Sequence, residues 1–324
     1  MRPGGVFAIV EDMIEVRQLT KRYGAKAAVD NLSFTVKPGR VTGFLGANGA
    51  GKSTTMRAIL GLDRPSSGQA LVNGKPYAAM RNPVHHVGAL LDAGAVHGGR
   101  SAFNHLLCLA TSNGIGGARV TRVLEQVGLA GVARKRVAGF SLGMKQRLGI
   151  AATLLGDPGV LMFDEPVNGL DPEGIRWIRE FMRDLAAEGR TVLVSSHLMS
   201  EMALTADHVV IIGRGKLITE ASMAELAERH QRGVLVRSPQ AEALSAALVA
   251  AGAAATAAPD GSLSVTGMEA AAIGELAFAR GVVLHEITPR TASLEEAYME
   301  LTDDTVEYRA TRINARGETE RSAA

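Results

Sequence analysis

Gly46-Ala-Asn-Gly-Ala-Gly-Lys52-Ser53-Thr54 decides the reading of this chain. It fits G-x-x-x-x-G-K-[ST] and lies between a strand signal, Val41-Thr-Gly-Phe-Leu45, and a helical pattern from about Thr54 to Leu62. Gly46, Gly49 and Gly51, with Asn48 and Ala50 between them, let the backbone curl until successive N–H groups point inward. The helix N-terminus adds its own donors and positive dipole. Such a cradle accepts a polyphosphate. Lys52 is placed to reach the β- and γ-phosphates as a compact charge, and the Ser53 hydroxyl to bind Mg²⁺. Which triphosphate is used, and for what, the loop alone does not say.

The 324 residues are 46% hydrophobic and 21% charged, a globular composition, and 35 basic against 33 acidic side chains do not point to a nucleic-acid partner, although a sequence pI of about 8.8 leaves that question open. With a single cysteine, Cys108, no internal disulfide can form, and its expected place is as apolar filling in the Phe103 to Leu109 segment. Met1 to Glu11 does not read as a signal peptide, and Met13 is a second candidate start. Leu244 to Ala258 is mostly alanine with Gly252 inside it and falls short of the roughly 20 strongly apolar residues of a membrane span. Any membrane segments are expected on another chain.

Strands are expected at Ile14 to Leu19, Leu32 to Val36 and Val41 to Leu45, with turns at Lys37 to Arg40 and at Asn73-Gly74. Ser101 to Val132 reads as helical, with Phe103, Leu106, Leu107 and Ala110 on one face and Val120, Val123, Leu124 and Val127 on the next. Val160 to Phe163 and Thr191 to Val194 are short apolar runs of the kind found in strands covered on both faces, with an amphipathic helix from Ile175 to Glu188 between them. The boundaries implied are 13–220 for the main domain, 221–302 for a small α+β appendage in βαβαβα order, and 303–324 for a disordered, charged tail. Within the appendage the strands fall at Val234 to Val236, Leu263 to Val265 and Val282 to Ile287, and the helices near Ala241 to Ala251, Glu269 to Ala279 and Ser293 to Leu301.

Two further stretches carry chemistry. Val160-Leu-Met-Phe-Asp164-Glu165 sets two carboxylates at the end of an apolar strand, where open α/β sheets bind ligands. Asp164 can hold Mg²⁺ and Glu165 can orient and deprotonate a water, although paired acids at a strand end can also be solvated loop residues. Phe140-Ser141-Leu-Gly143-Met-Lys145-Gln146-Arg147 is by itself a serine cap ahead of an amphipathic helix; its hydroxyl and glycine amide can also bind a γ-phosphate.

Taken together and in order, these motifs resemble the ATP-binding cassette (ABC) ATPases over residues 13 to 220. Tyr23 stands where an aromatic stacks on adenine, followed by the Gly46 to Thr54 loop, the Ser141-Leu-Gly143 signature, Asp164-Glu165, the Asn168-Gly-Leu-Asp171 D-loop and the switch residue His197. The resemblance implies an α/β fold, an ABC-type P-loop NTPase core with an antiparallel β subdomain and a helical subdomain, binding ATP and Mg²⁺. It further implies a head-to-tail homodimer in which Ser141 and Gly143 of one copy face the ATP held by Lys52 of the other. His197 would then meet the γ-phosphate and the attacking water, and Asp171 would couple the two sites. Taken alone, His197 also reads as a hydrogen-bonded loop histidine.

Three positions depart from the family pattern. Leu142 and Met144 replace a glycine and a glutamine, and Asp92 stands where the Q-loop glutamine is expected, either contacting metal and water or capping a loop. Such variants resemble the bacitracin-resistance and lantibiotic-immunity subgroup of bacterial exporter ATPases. This implies a cytoplasmic subunit, peripheral on the inner face of the membrane, that drives a separate multi-span membrane subunit without contacting nucleic acid. The other class consistent with the motifs is a soluble ABC ATPase acting on ribosomes or DNA, and an import ATPase is a third. The appendage is similar to extensions of daunorubicin-type exporters. His85, His86, His97 and His105 lack metal-ligand spacing and read as surface or packing residues. Arg134, Lys135 and Arg136 read as a solvated face or as a contact for a partner helix or lipid headgroups.

Overall fold

In a computed structural model, residues 13–229, 231–291, 294 and 298 are described. Most of the helix expected over 293–301, the N-terminal stretch before Met13 and the tail from 303 lie outside them. The described chain separates into two compact units, one ending at Glu220 and one spanning Ala221–Glu300.

The first unit runs β1 Ile14–Tyr23, β2 Lys26–Val36, β3 Arg40–Leu45, α1 Lys52–Ile59, β4 Ser67–Val72, β5 Val87–Leu90, α2 Ala102–Ser112, α3 Gly117–Gln126, α4 Leu142–Thr153, β6 Val160–Asp164, α5 Pro172–Ala187, β7 Thr191–Ser196, α6 Met199–Ala203, β8 His208–Gly213 and β9 Lys216–Ser222. Strands β2, β1 and β4 form an antiparallel sheet in which Ile14 pairs with Val36 on one side and Val72 on the other. A second sheet has the order β5-β6-β7-β3-β8-β9, with β5, β6, β7, β3 and β8 parallel. Its middle is dry: Leu161, Met162, Phe163, Val192, Leu193 and Val194 are fully buried, which is why the sequence there is an unbroken apolar run rather than an alternating one. Helix α1 touches β1, β2, β4 and β6, and its Met56 and Ile59 join one core with Phe34, Phe44 and Val160. Both sheets therefore close on the helix that begins at Lys52.

Helices α2, α3 and α4 form the helical part. The buried residues of α2 are Ala102, His105, Leu106 and Ala110, a face turned back one position from the expected one. Cys108 lies outside that stripe and is exposed, so the expectation that it fills the core is overturned. His105 is a packing residue: burial, then the charges of Arg100 and His97, push its pKa below the ordinary value.

The second unit adds α7 Met223–Arg229, β10 Gln231–Arg237, α8 Ala241–Ala250, β11 Ala254–Ala257, β12 Leu263–Thr266, α9 Ala270–Ala279 and β13 Glu286–Thr291. After α7 the order is βαββαβ and the sheet order is β11-β12-β10-β13, all neighbours antiparallel, which is a ferredoxin-like arrangement. The sequence had suggested three strands. It missed β11 because Ala254, Ala255 and Ala257 carry little strand preference; as an edge strand they need only pair with β12. The last strand starts at Glu286 instead of Val282 because α9 ends at Gly281 (φ +64°), and the Val282 N–H bonds back to Ala277 O at 2.9 Å. Helix α8 ends the same way at Gly252 (φ +91°), with Ala253 N–H on Leu248 O at 3.0 Å. Pro289 is tolerated because β13 is an edge.

One close approach fixes where α4 sits. A Cβ on Gly88 of β5 would lie 2.2 Å from the Thr153 carbonyl oxygen at the end of α4, and one on Gly149 would lie 2.6 Å from Leu90 Cδ1. Gly88→Ala is therefore expected to cost about 1–3 kcal/mol by forcing helix and strand apart. Gly131→Ala, which meets nothing within 4 Å, is expected to stay within about 0.5 kcal/mol. Urea unfolding of the two variants beside the parent chain measures both.

Candidate active site

The ends of β3, β6 and β7 assemble the site. The register pairs Leu45 with Ser196, Phe44 with Ser195, and Asp164 with Ser195, so the loop after β3, the two carboxylates after β6 and the serine-histidine run after β7 emerge side by side.

The loop after β3 needs its glycines for space as well as for curvature. A Cβ at Gly46 would meet the Ile212 carbonyl oxygen at 2.6 Å, and one at Gly51 (φ +107°) would meet the Ala28 carbonyl oxygen at 2.5 Å. Ala28, Asn48, Gly49, Lys52, Ser53 and Thr54, with other loop residues and Glu165, line a cavity of about 220 Å³. A backbone curled in this way at a helix N-terminus, with a lysine and a serine at its mouth, fits a triphosphate and its metal. Ala50 is 5% exposed and packs inward, so of this loop it supports rather than lines. Ala28 had no signal in the sequence; it enters because β2 runs past Gly51.

Lys52 is 6% exposed and internally satisfied. Its Nζ donates to the Gly46 carbonyl at 2.7 Å and lies 3.3 Å from Glu165 Oε1. The other oxygen, Glu165 Oε2, lies 2.8 Å from His197 Nδ1. A carboxylate only accepts, so the proton on that contact belongs to the imidazole, and in the neutral ring Nε2 is left as the acceptor. Glu165 thus bridges Lys52, at the end of the loop after β3, and His197, just past the end of β7. Its backbone is in the left-handed region (φ +48°), unusual for a side chain of this kind. Asp164 Oδ1 accepts the Ser195 hydroxyl, and the same Ser195 Oγ accepts the Glu165 N–H at 2.9 Å. The sequence reading stopped β7 at Val194 and passed over Ser195; the available signal was a polar pair closing an apolar run just before His197.

Ser141, Gly143 and Asp171 meet elsewhere. They line a second cavity, also about 220 Å³, with Arg147 and Trp177. Ser141 caps α4 by accepting the Met144 N–H at 3.2 Å, and Asp171 caps α5 by accepting the Gly174 N–H at 2.9 Å. Arg147 stacks over the Trp177 ring at 3.9 Å, and buried Gln146 donates to the Pro166 carbonyl at 2.8 Å, which fastens the signature helix to the loop after Glu165. Burial depresses the Arg147 pKa despite the opposing pull of Glu173 and Asp171. Leu142, in the family's glycine position, lies over Gly169, where a Cβ would be 2.4 Å from Leu142 Cδ2.

Tyr23 and Asp92 stand apart from both groups. Tyr23 is 52% exposed; its hydroxyl donates to Asp63 at 3.0 Å and Lys21 Nζ sits 4.9 Å from its ring centroid. Its pKa is raised by burial and by Asp63, whose own is lowered through its hydrogen bond with Arg57. The Asp92 carboxylate accepts the Gly94 N–H at 2.7 Å and is exposed; no described hydrogen bond or ion pair joins it to Ser53 or Asp164. Of the two roles open to it in the sequence, the geometry displays the loop cap.

The ABC transporter family matches residues 29–168. An uncharacterized ABC transporter ATP-binding protein of Bacillus subtilis is 36% identical over 307 residues, 92% of this chain and 98% of that protein. The chain belongs to the ATP-binding proteins of ABC transporters. A bacitracin transport ATP-binding protein of Bacillus licheniformis is 42% identical over 68% of this chain and 73% of its own length. Among solved structures, the ATP-binding subunit of an ABC transporter overlays with a TM-score of 0.61 at 28% identity, covering 67% of this chain and 92% of that one. Residues 232–295 match a domain of unknown function. As an ABC transporter subunit the protein binds and hydrolyses ATP and works with a membrane partner. No helix among the described residues is long and apolar enough to cross a membrane.

The Lys52–Glu165 ion pair places an anion at the lysine before any phosphate arrives. Lys52→Ala is expected to weaken ATP binding at least about tenfold, whereas Glu165→Gln, which frees the lysine, is expected to bind ATP without loss. Equilibrium binding of a fluorescent ATP analogue without Mg²⁺ separates the two; weaker binding by the Gln variant would count against a competing carboxylate.

Proposed function

We propose that this protein is the nucleotide-binding subunit of a bacterial exporter, residues 13–220 forming the ATPase cassette and 221–302 an appended module. The observation that carries the reading is the contact of one carboxylate, Glu165, with both Lys52 and His197 in the mouth of the phosphate-loop cavity, while Ser141 and Gly143 line a different cavity of the same chain.

In this reading Gly46, Asn48, Gly49, Gly51 and Thr54 form the phosphate cradle with Ala50 supporting it from within, Lys52 neutralises the β- and γ-phosphates, and Tyr23 offers an exposed ring to the adenine. Ser53 and Asp164 would hold Mg²⁺, which would supply positive charge to the bound phosphates. Glu165 leaves Lys52 when phosphate takes its place and becomes the base for water, with His197 as the partner that keeps it aimed. The separation of the two cavities is the reason for a second copy. Head-to-tail pairing lets Ser141 and Gly143 of one chain, at the N-terminus of α4, close on the phosphates held by the other, with Asp171 beside that contact. Asp92 stands where the family's Q-loop glutamine is expected and caps its own loop through the Gly94 N–H.

The setting is the inner face of the cell membrane, docked on a separate multi-span subunit. An amphiphilic antibiotic, peptide, drug or lipid is the class of cargo that fits, supported by the Asp92 and Leu142 departures and by the likeness to a bacitracin transport protein. Mixed surface charge gives no ground for nucleic acid.

Tagged Glu165→Gln protein, trapped with ATP and Mg²⁺ in its host and solubilised in mild detergent, is expected to co-purify with a multi-span membrane protein identified by mass spectrometry. Ribosomal proteins or DNA-repair factors in its place, with nothing from the membrane, would overturn the exporter reading and leave the ATPase intact.

A further inference from the structure

Ser195 is fully buried at the end of β7, the register partner of Asp164 on β6 and of Phe44 on β3. A serine hydroxyl has one proton and two lone pairs. Here the proton goes to Asp164 Oδ1, and a lone pair takes the backbone N–H of Glu165 at 2.9 Å. One oxygen atom is therefore bonded to two adjacent acidic residues, to the side chain of the first and the main chain of the second.

We propose that Ser195 is a positioning residue for ATP hydrolysis, its buried hydroxyl setting the Asp164 carboxylate and the Glu165 backbone at one fixed relative orientation. This deepens the assignment of metal binding to Asp164 and base catalysis to Glu165 and rests on it.

Two geometric facts give the contact a purpose beyond packing. Glu165 sits at φ +48°, a conformation that an acidic residue keeps only where its surroundings hold it. Its side chain then reaches Lys52 Nζ at 3.3 Å and His197 Nδ1 at 2.8 Å. The Ser195 oxygen satisfies the one backbone donor of that strained residue. On the other side, donation to Oδ1 holds the Asp164 carboxyl against rotation, while Oδ2 bonds nothing among the described residues. The neighbouring serine does a different job: Ser196 Oγ accepts the Leu198 N–H at 2.9 Å and shapes the turn that carries His197. The two serines divide the work, one fixing the carboxylates and the other the histidine.

The test is steady-state ATPase of the full chain with its captured membrane subunit, comparing Ser195→Ala, Ser195→Thr, Ser195→Cys and Glu165→Gln with the parent. Ser195→Ala is expected to lower kcat about 10–100-fold. Binding of ATP without Mg²⁺ should stay within about twofold, because the phosphate cradle is untouched, and the Mg²⁺ concentration for half-maximal rate should rise about threefold or more as Asp164 loses its anchor. Ser195→Thr restores the hydroxyl and is expected to recover most of the rate; should its methyl group fail to fit, Ser195→Cys, a weaker donor of similar size, is expected to fall between Ala and Ser. A kcat for Ser195→Ala within about twofold of the parent, beside an inactive Glu165→Gln, would overturn the positioning role and leave the base assignment standing. So would a loss that neither Thr nor Cys relieves and that equals the loss in metal-free ATP binding. Full turnover by Glu165→Gln would instead remove the base assignment, and this proposal with it.

Discussion

In-register parallel pairing of β3, β6 and β7 is the constraint on which the rest of the molecule depends. Parallel strands bring equivalent ends to one edge, and three chemically different chain exits share that edge: a glycine-rich loop, a pair of acids and a serine-histidine run. Slipping β7 by one residue against β6 would turn Ser195 away from Asp164 and withdraw His197 from Glu165. Leu161 to Phe163 and Val192 to Val194 are fully buried, so such a slip would have to refit close-packed side chains on both faces of the sheet.

This edge was legible in the sequence where the signal is local. The phosphate loop declares itself because few backbones other than a curled one tolerate three glycines and a lysine at that spacing, and the close contacts at Gly46 and Gly51 show why no side chain is admitted there. Strand cores were also legible, since continuous apolar runs have little alternative. Long-range partnerships were not. Nothing at Ser195 announces that it lies beside Asp164, thirty-one residues away in sequence, and nothing at Gln146 announces the Pro166 carbonyl. The same limit explains α2, where a rotation of one residue moved Cys108 to the surface and brought His105 inside. It explains the second unit too: β11 is made a strand by β12 and not by its own alanines.

The departures from the family pattern acquire a physical meaning once placed. Leu142 is half-exposed (49%) and covers Gly169, so a side chain replaces open space between the signature helix and the D-loop. The Arg147–Trp177 stack and the Gln146 tether bind the same two elements, and α4 is seated on β5 through Gly88 and Gly149. The second cavity is therefore carried as one piece with the loop after Glu165. Under the head-to-tail pairing proposed above, movement at one nucleotide site would be felt at the surface offered to the other copy, a structural basis for coupling without any change in the strands.

The central claim is that the edge made by β3, β6 and β7 is where ATP is bound and split, with Glu165 exchanging Lys52 for water. The most direct measurement is a structure of the Glu165→Gln chain with ATP and Mg²⁺. The account predicts Lys52 on the β- and γ-phosphates and away from residue 165, the metal between Ser53 and Asp164, Ser195 still bridging Asp164 and the residue 165 N–H, and Ser141 of a second copy across the γ-phosphate. Nucleotide bound away from the Gly46 to Thr54 loop, or a metal held without Asp164, would contradict it.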